Sequence, residues 1–312
     1  MKLAFVFPGQ GSQSVGMMAG YGELAPIAAT LAEADQVLSR PLSRLINEGP
    51  AEELNVTTQT QPAMLTADVA LWRAWQAAGG PQPSLLAGHS LGEYAALVAA
   101  DAIDFPAALV LTAARAQAMQ DAVPAGVGAM AAILGLDGEA LAEICRAAAG
   151  DEVVTCCNLN APGQIVIGGH KAAVDRAMAL AKERGAKRAL PIAMSVPSHC
   201  DLMRPAAEAL APALIAAPLR TPRTMILHNA TVASANDPAA LRAVLAEQLY
   251  RPVRWIETVE RMVAEGVTHI VECGPGKVLA GMVKRIAPTA EVLTLSDRAA
   301  FDAALTKLKG LA

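Results

Sequence analysis

Short apolar runs alternate with longer segments of helical periodicity through much of the chain. The run Leu3–Phe7 and the run at 85–87 each have the length of a buried strand. Apolar positions recur at helical spacing at 61–78, 90–100 and 105–122. After 195 the alternation returns, with helical patterns at 203–215, 238–248 and 256–265 and apolar runs at 224–228 and 269–272. This alternation predicts a mostly parallel sheet with helices on both faces.

The order of apolar runs and helical patterns changes between residues 124 and 194. An apolar run at 126–135, which we expect to form an edge strand, is followed by a helical pattern, two short strands, a second helical pattern and a last strand. The order β-α-β-β-α-β is that of the ferredoxin-like split βαβ unit. We therefore predict an α/β fold with an α/β-hydrolase-like large domain at 1–123 and 195–312. A ferredoxin-like small domain at 124–194 is inserted into it.

Composition narrows the class of protein. The 312 residues are 54% hydrophobic and 17% charged, which excludes disorder and implies a sizeable core. No uninterrupted apolar run reaches the roughly 18 residues of a membrane span. The chain enters its first strand directly after Met1 and Lys2, without the pattern of a signal peptide. These features predict a cytoplasmic protein that does not bind a membrane, and we expect a monomer.

Charge and cysteine usage argue against two further classes. A net charge of −4 gives no electrostatic footprint for nucleic acid. The five cysteines are an odd number and show no C-x-x-C spacing. Reduced thiols are the better interpretation, and we expect neither a metal nor a redox cofactor.

The most informative motif is a serine between two glycines. Ser90 is flanked by Gly88 and Gly92, after an apolar run and before a helical pattern. In a nucleophile elbow the turn is so tight that both flanking positions need glycine, and the serine projects beside free amides at the helix start. Such a site suits acyl transfer. The alternative is a glycine-rich turn without chemistry, because this short pattern also arises by chance.

A serine nucleophile needs a base, and His199 is the leading candidate. His89 adjoins the serine and is expected to point away from it, while the other histidines lie in the inserted segment or at the ends of apolar strands. The elimination leaves His199, where the chain re-enters the large domain. No acidic partner is evident, since Asp201 is only two residues away and is expected to be directed elsewhere.

Arg115 is the only charged residue between positions 107 and 120. A surface arginine is the usual interpretation for a helix, yet little else makes that face polar. A partly buried guanidinium needs an anionic partner, and a substrate carboxylate held by two hydrogen bonds is a candidate.

The loop after the first strand carries Gln10. A dinucleotide-binding fingerprint would need glycine where Ser14 stands, so a nucleotide cofactor is poorly supported. The loop remains able to bring Gln10 or its backbone to a neighbouring site, although a glutamine facing solvent is the usual alternative.

Together these segments resemble the malonyl-CoA:acyl carrier protein transacylases of bacterial fatty acid synthesis, over essentially the whole chain. The segments that carry the resemblance are 7–13, 88–93, Arg115, 126–130, 196–199, 248–255 and 272–276. The resemblance implies Ser90 as nucleophile, His199 as general acid and base, and Arg115 as the partner of the malonyl carboxylate.

Three further roles follow from the resemblance alone. It implies that the backbone amides of Gln10 and Leu91 form the oxyanion hole. It also implies that the main-chain carbonyl of Gln248 orients the histidine in place of a carboxylate. The implied partners are malonyl-CoA and acyl carrier protein, and no cofactor is required. The alternative is a serine thioesterase or hydrolase of the α/β-hydrolase type, which would need a carboxylate partner for the histidine.

Overall fold

The computed structural model describes residues 1–193 and 196–311. The predicted domain boundary between residues 194 and 195 lies outside the described residues. The strands in chain order are β1 (Leu3–Phe7), β2 (Leu85–Gly88), β3 (Gly128–Leu134), β4 (Val154–Ala161), β5 (Gln164–His170), β6 (Arg188–Ile192), β7 (Met225–Leu227), β8 (His269–Glu272) and β9 (Glu291–Thr294).

The α-helices in chain order are α1 (Ala25–Leu38), α2 (Leu42–Glu48), α3 (Ala51–Leu54), α4 (Thr57–Ala77), α5 (Gly92–Ala99), α6 (Phe105–Ala122), α7 (Gly138–Ala149), α8 (Lys171–Glu183), α9 (Arg204–Ala216), α10 (Pro238–Gln248), α11 (Trp255–Ala264), α12 (Val278–Ile286) and α13 (Arg298–Lys309). None of the described helices is long and apolar enough to cross a membrane.

The larger sheet is parallel and has the order β7-β2-β1-β8-β9. Side chains of β1 alternate between its two faces, as the strand period requires. Phe5 and Phe7 pack with α4 and α5, whereas Ala4 and Val6 belong to a second cluster with α11 and α12. The prediction of a mostly parallel sheet with helices on both faces is therefore confirmed.

The smaller sheet is antiparallel, with the order β4-β5-β3-β6, and α7 and α8 contribute to the apolar cluster on one of its faces. The prediction of an edge strand at 126–135 is wrong, because β3 pairs with β5 on one side and with β6 on the other. Side chains on both faces of β3 are buried, which agrees with a central position of this strand in the sheet. Ile133 packs towards the helices, while Met130 packs with Cys200 on the opposite face.

Backbone hydrogen bonds connect the smaller sheet to the segment at Val253, near the site. The amide of Val253 donates to the carbonyl of Cys157 at 2.8 Å, and the amide of Leu159 donates to the carbonyl of Val253 at 2.9 Å. Strand β4 is thereby tied to the segment that follows α10. This segment also holds the loop of His199, whose amide donates to the carbonyl of Leu249 at 2.9 Å.

The turn from β2 to α5 is the tight elbow that the sequence predicts. Ser90 has a φ of 51°, in the left-handed region that costs a residue with a side chain about 1 kcal/mol or more. A Cβ on Gly88 would overlap the backbone of Gly92, and a Cβ on Gly92 would overlap the carbonyl of Phe7. Both glycines are therefore required by close backbone approach.

The elbow predicts a sharp difference between two glycine substitutions. Gly88→Ala should destabilise the protein by several kcal/mol or prevent folding, because backbone atoms cannot yield to the new methyl group. Gly281→Ala, in α12 with open space around the new Cβ, should be neutral or stabilise by about 0.5–1 kcal/mol. Urea unfolding of both variants tests this, and equal stabilities would contradict the elbow geometry.

Candidate active site

A cleft of about 520 Å³ opens beside the elbow and reaches to the smaller sheet. Its walls include five of the six predicted site residues, which are Gln10, Ser90, Leu91, Arg115 and His199. The sixth, Gln248, is buried at the end of α10 and contacts three of them. The structure thus brings together residues that are far apart in the sequence.

Ser90 and His199 form a hydrogen-bonded pair. Ser90 Oγ lies 2.7 Å from His199 Nε2, and His199 Nδ1 lies 2.8 Å from the carbonyl oxygen of Gln248. Since a carbonyl oxygen only accepts, Nδ1 carries the hydrogen and Nε2 is free to accept the hydroxyl proton. His199 itself has a φ of 64°, so both members of the pair have left-handed backbones.

The surroundings keep the imidazole neutral. Burial lowers the pKa of His199 to about 3, and the positive charge of Arg115 acts in the same direction. The neutral ring is the form that accepts a proton, so His199 is in the state a general base requires at neutral pH.

Arg115 lies on α6 with its side chain 1% exposed. Its guanidinium donates to Gln61 Oε1 at 2.5 Å, to Gln248 Oε1 at 2.8 Å and to Ser90 Oγ at 3.2 Å. Among residues 1–193 and 196–311 no carboxylate forms an ion pair with it, and its Nε has no partner there. Burial lowers the pKa of Arg115. The guanidinium also lies over the ring of Tyr94, 5.5 Å from the ring centroid. A buried guanidinium whose partners are neutral oxygens and an aromatic ring is ready to pair with an anion that enters the cleft.

Two backbone amides at the cleft are not used elsewhere. Within the described ranges the amides of Gln10 and Leu91 donate no hydrogen bond, whereas the amide of Ser90 donates to Asn229 Oδ1 at 2.7 Å. A Cβ placed on Gly9 would lie 3.7 Å from the Leu91 nitrogen, so the two loops are in close contact. The arrangement fits the predicted oxyanion hole, which stays a prediction.

His89 and Asp201 lie apart from the pair. His89 Nε2 contacts Asn160 Oδ1 at 2.8 Å, and its ring packs edge-on against Trp255. The side chain of His89 lines the cleft, but in the described part of the chain it forms no hydrogen bond with the hydroxyl group of Ser90. Asp201 is exposed and accepts from Arg204 at 2.8 Å. The histidine of the pair is therefore oriented by a carbonyl oxygen and not by Asp201.

Sequence reasoning missed three buried polar residues around the site, Gln61, Glu93 and Asn229. They belong to α4, to α5 and to the segment after β7, and all are at most 1% exposed. Gln61 and Asn229 are uncharged, so neither titration nor metal-ligand spacing singles them out. Only Glu93 carried a signal, as a lone carboxylate within the apolar helix that follows the elbow.

The expectation that the protein needs no metal stays a prediction. In the described part of the chain no group of three or more His, Cys, Asp or Glu side chains is placed to hold a metal ion. The cysteines are free and buried.

A hydrogen-bonded serine and histidine at a strand-to-helix elbow, facing a cleft with unused amides, define an acyl-transfer site. Comparison with known proteins agrees. Residues 4–296 match the family model described as the acyl transferase domain. The chain belongs to this family of acyl transferases.

The similar proteins carry a more particular name. The chain is 53% identical over 307 residues to the malonyl CoA-acyl carrier protein transacylase of Salmonella typhimurium, covering 98% of this chain and 99% of the relative. It is 45% identical over 310 residues to the protein of the same name from Bacillus subtilis, covering 99% of this chain and 98% of the relative. The resemblance predicted from the motifs is confirmed.

Solved structures are equally similar. An acyl-carrier-protein S-malonyltransferase from Burkholderia pseudomallei superposes with a TM-score of 0.96 at 53% identity, covering 98% of this chain and all of that chain. A malonyl-transacylase solved in complex with a type II PKS acyl-carrier protein superposes with a TM-score of 0.96 at 49% identity, again covering 98% of this chain and 100% of the other.

The depressed histidine pKa predicts the pH dependence of Ser90 reactivity. Reaction with phenylmethylsulfonyl fluoride, a small neutral serine reagent, needs neutral His199. Because the pKa of His199 lies near 3, the rate should show no histidine-type loss as the pH falls from 8 to about 5. Arg115→Met removes a neighbouring positive charge, which favours the imidazolium and raises this pKa. Its rate should then decline at higher pH than that of the wild type.

The measurement is the inactivation rate constant at each pH, with Arg44→Met as control. Arg44 is exposed and pairs with Glu48 on the surface. A wild-type midpoint near the ordinary histidine value of 6.5, or identical profiles for wild type and Arg115→Met, would contradict the electrostatic assignment.

Proposed function

We propose that the protein transfers the malonyl group from malonyl-CoA to the phosphopantetheine thiol of acyl carrier protein, in fatty acid biosynthesis, through a malonyl-serine at Ser90. The observation that carries the proposal is the buried guanidinium of Arg115, 3.2 Å from Ser90 Oγ and without a carboxylate partner among the described residues. An acyl group that ends in a carboxylate supplies the missing charge. The names of the similar proteins support the same substrates.

The first half-reaction acylates the serine. Ser90 Oγ gives its proton to His199 Nε2 and attacks the thioester carbonyl carbon of malonyl-CoA. The carbonyl π electrons move to oxygen, where the amides of Gln10 and Leu91 stabilise the developing charge. The intermediate collapses as the C–S bond breaks, and His199 returns the proton to the sulfur of coenzyme A.

The second half-reaction reverses these roles. The phosphopantetheine thiol gives its proton to His199 Nε2, and its sulfur attacks the malonyl ester. The C–O bond to Ser90 breaks, and His199 returns the proton to Oγ. No electron is transferred, so the cycle requires no redox cofactor, and we propose that no metal takes part.

Arg115 positions the substrate, and Gln248 positions the catalytic histidine. Arg115 holds the malonyl carboxylate by charge-assisted hydrogen bonds and so fixes the acyl chain against the nucleophile. The carbonyl of Gln248 holds the tautomer of His199 without adding a negative charge beside it. The rival hydrolase assignment would place a carboxylate at this position, and the nearby Asp201 pairs with Arg204 instead.

The topology of the two sheets supports a division of the chain into two domains. We propose that the parallel sheet belongs to an α/β-hydrolase-like domain at 1–123 and 195–312, and that 124–194 form a ferredoxin-like inserted domain. The strand order β4-β5-β3-β6, with helices in both β-α-β connections, supports the second assignment. We further propose a cytoplasmic monomer whose partners are malonyl-CoA and the carrier protein, with no nucleic acid or membrane among them.

The proposal predicts a stable malonyl adduct on Ser90. Incubation with malonyl-CoA alone should increase the intact mass by one malonyl group, and digestion should place the adduct in the peptide that contains Ser90. Ser90→Ala should remain folded and unlabelled, because the variant lacks the hydroxyl group that contacts His199 Nε2. An adduct on Cys200 or Cys273 would overturn the assignment of the nucleophile.

The role of Arg115 predicts a change in acyl selectivity. Truncating one partner of a poorly solvated charge pair costs about 2–5 kcal/mol, so Arg115→Ala should slow malonyl transfer by about two orders of magnitude or more. Transfer of acetyl, which has no carboxylate, should be spared or improved. Steady-state rates with both thioesters measure this, with Arg44→Ala as the surface control. Equal losses for both acyl groups would show that Arg115 is structural.

A further inference from the structure

Directly behind the elbow lies a carboxylate that the proposed mechanism does not use. Glu93, in the first turn of α5, is fully buried. Its Oε1 accepts from His228 Nδ1 at 2.6 Å, and its Oε2 accepts from the amide of Asn229 at 3.0 Å and from Gln248 Nε2 at 2.9 Å. A buried carboxylate is tolerated only when donors compensate its lost hydration, and here three donors from two segments, 228–229 and the end of α10, converge on it.

Asn229 connects Glu93 to the nucleophile. The side chain of Asn229 accepts from the amide of Ser90 at 2.7 Å and donates to the carbonyl of Gly88 at 2.6 Å. It therefore bridges the elbow across His89 and opposes relaxation of the left-handed φ of Ser90. It also occupies the amide of Ser90, so this amide is not free for a substrate. Glu93 fixes the backbone from which this side chain extends.

Gln248 connects Glu93 to the histidine and the arginine. Gln248 donates through Nε2 to both Glu93 and the carbonyl of Ser90, the latter at 2.9 Å. Its Oε1 accepts from Arg115, and its backbone carbonyl accepts from His199 Nδ1. The Glu93 hydrogen bond determines which end of the amide faces Arg115, since a carboxylate accepts only from the nitrogen end.

We propose that Glu93 is the positioning residue of the site: through Asn229 it holds Ser90, and through Gln248 it holds His199 and Arg115, so that one buried carboxylate sets the geometry of all three. This role rests on the proposed function only in assigning the chemistry to Ser90. Glu93 touches neither substrate nor the reacting atoms. It also places a negative charge behind Arg115, with the Gln248 amide between the two.

The test is Glu93→Met, which keeps the approximate length of the side chain but removes both acceptor oxygens. The hydrogen bonds to Asn229, Gln248 and His228 are then lost together. The matched control is Glu272→Met. Glu272 is also fully buried and accepts two amides, from Leu279 at 3.0 Å and Ala280 at 2.7 Å, without a link to the elbow.

Three quantities are measured for each variant. They are the inactivation rate constant with phenylmethylsulfonyl fluoride, the kcat and KM for malonyl-CoA, and the midpoint of urea unfolding. For Glu93→Met we expect the inactivation rate and kcat to fall about 10–100-fold, because small misplacements of reacting groups cost this much, while KM changes less. Glu272→Met should lose stability but keep the inactivation rate of the wild type.

A folded Glu93→Met protein with wild-type inactivation rate and kcat would overturn the positioning role. If this variant does not fold, Gln248→Met supplies the same test. It deletes the hydrogen bond to Glu93 but retains the backbone carbonyl for His199, and unchanged Ser90 reactivity in it would overturn the inference. The sulfonyl fluoride carries no malonyl group. Failure of wild-type protein to form a malonyl adduct would therefore refute the proposed substrate and leave this inference standing.

Discussion

The structure depends on one buried positive charge beside the nucleophile. The guanidinium of Arg115 contacts Ser90 Oγ, the neutral side-chain oxygens of Gln61 and Gln248, and the ring of Tyr94. It acts with burial to keep the imidazole of His199 in its neutral form. Among the described residues it pairs with no carboxylate, and we propose that an acyl chain ending in a carboxylate supplies this charge. On this proposal, the neutral state of His199 and the choice of substrate have a common origin.

The backbone supplies the rest of the machinery. Ser90 and His199 both have positive φ values, and each is held there by neighbouring main-chain or amide contacts. The histidine is oriented by a carbonyl oxygen, which fixes its tautomer without the attraction that a carboxylate would exert on an imidazolium. The carboxyl group of Glu93 lies further back and accepts from Gln248 Nε2. A charged guanidinium therefore contacts the nucleophile, whereas a neutral carbonyl group orients the histidine.

Local pattern allowed much of the fold to be predicted. The helix Phe105–Ala122 and the strand His269–Glu272 have the bounds that periodicity indicates, because their ends carry clear caps or turns. The elbow was predictable, since its glycines lie only two residues before and after the serine. The central position of β3 was not, because strand pairing is decided by contacts distant in sequence. Helix α1 and strand β9 were also missed, and β9 is only half-buried, which weakens its alternation. The contact of Asn229 with the elbow could not be predicted for the same reason as the pairing of β3, because its partner, Ser90, is 139 positions away.

The central claim is that the malonyl-serine is made for a thiol and not for water. The most direct measurement is to form the acyl-enzyme with malonyl-CoA, remove the coenzyme, and divide the sample between buffer and the thiol-bearing carrier protein. The products are then quantified over time. We expect the malonyl group to persist on Ser90 in buffer and to move to the carrier thiol when it is added. Rapid release of free malonate in both samples would contradict the claim and identify a hydrolase.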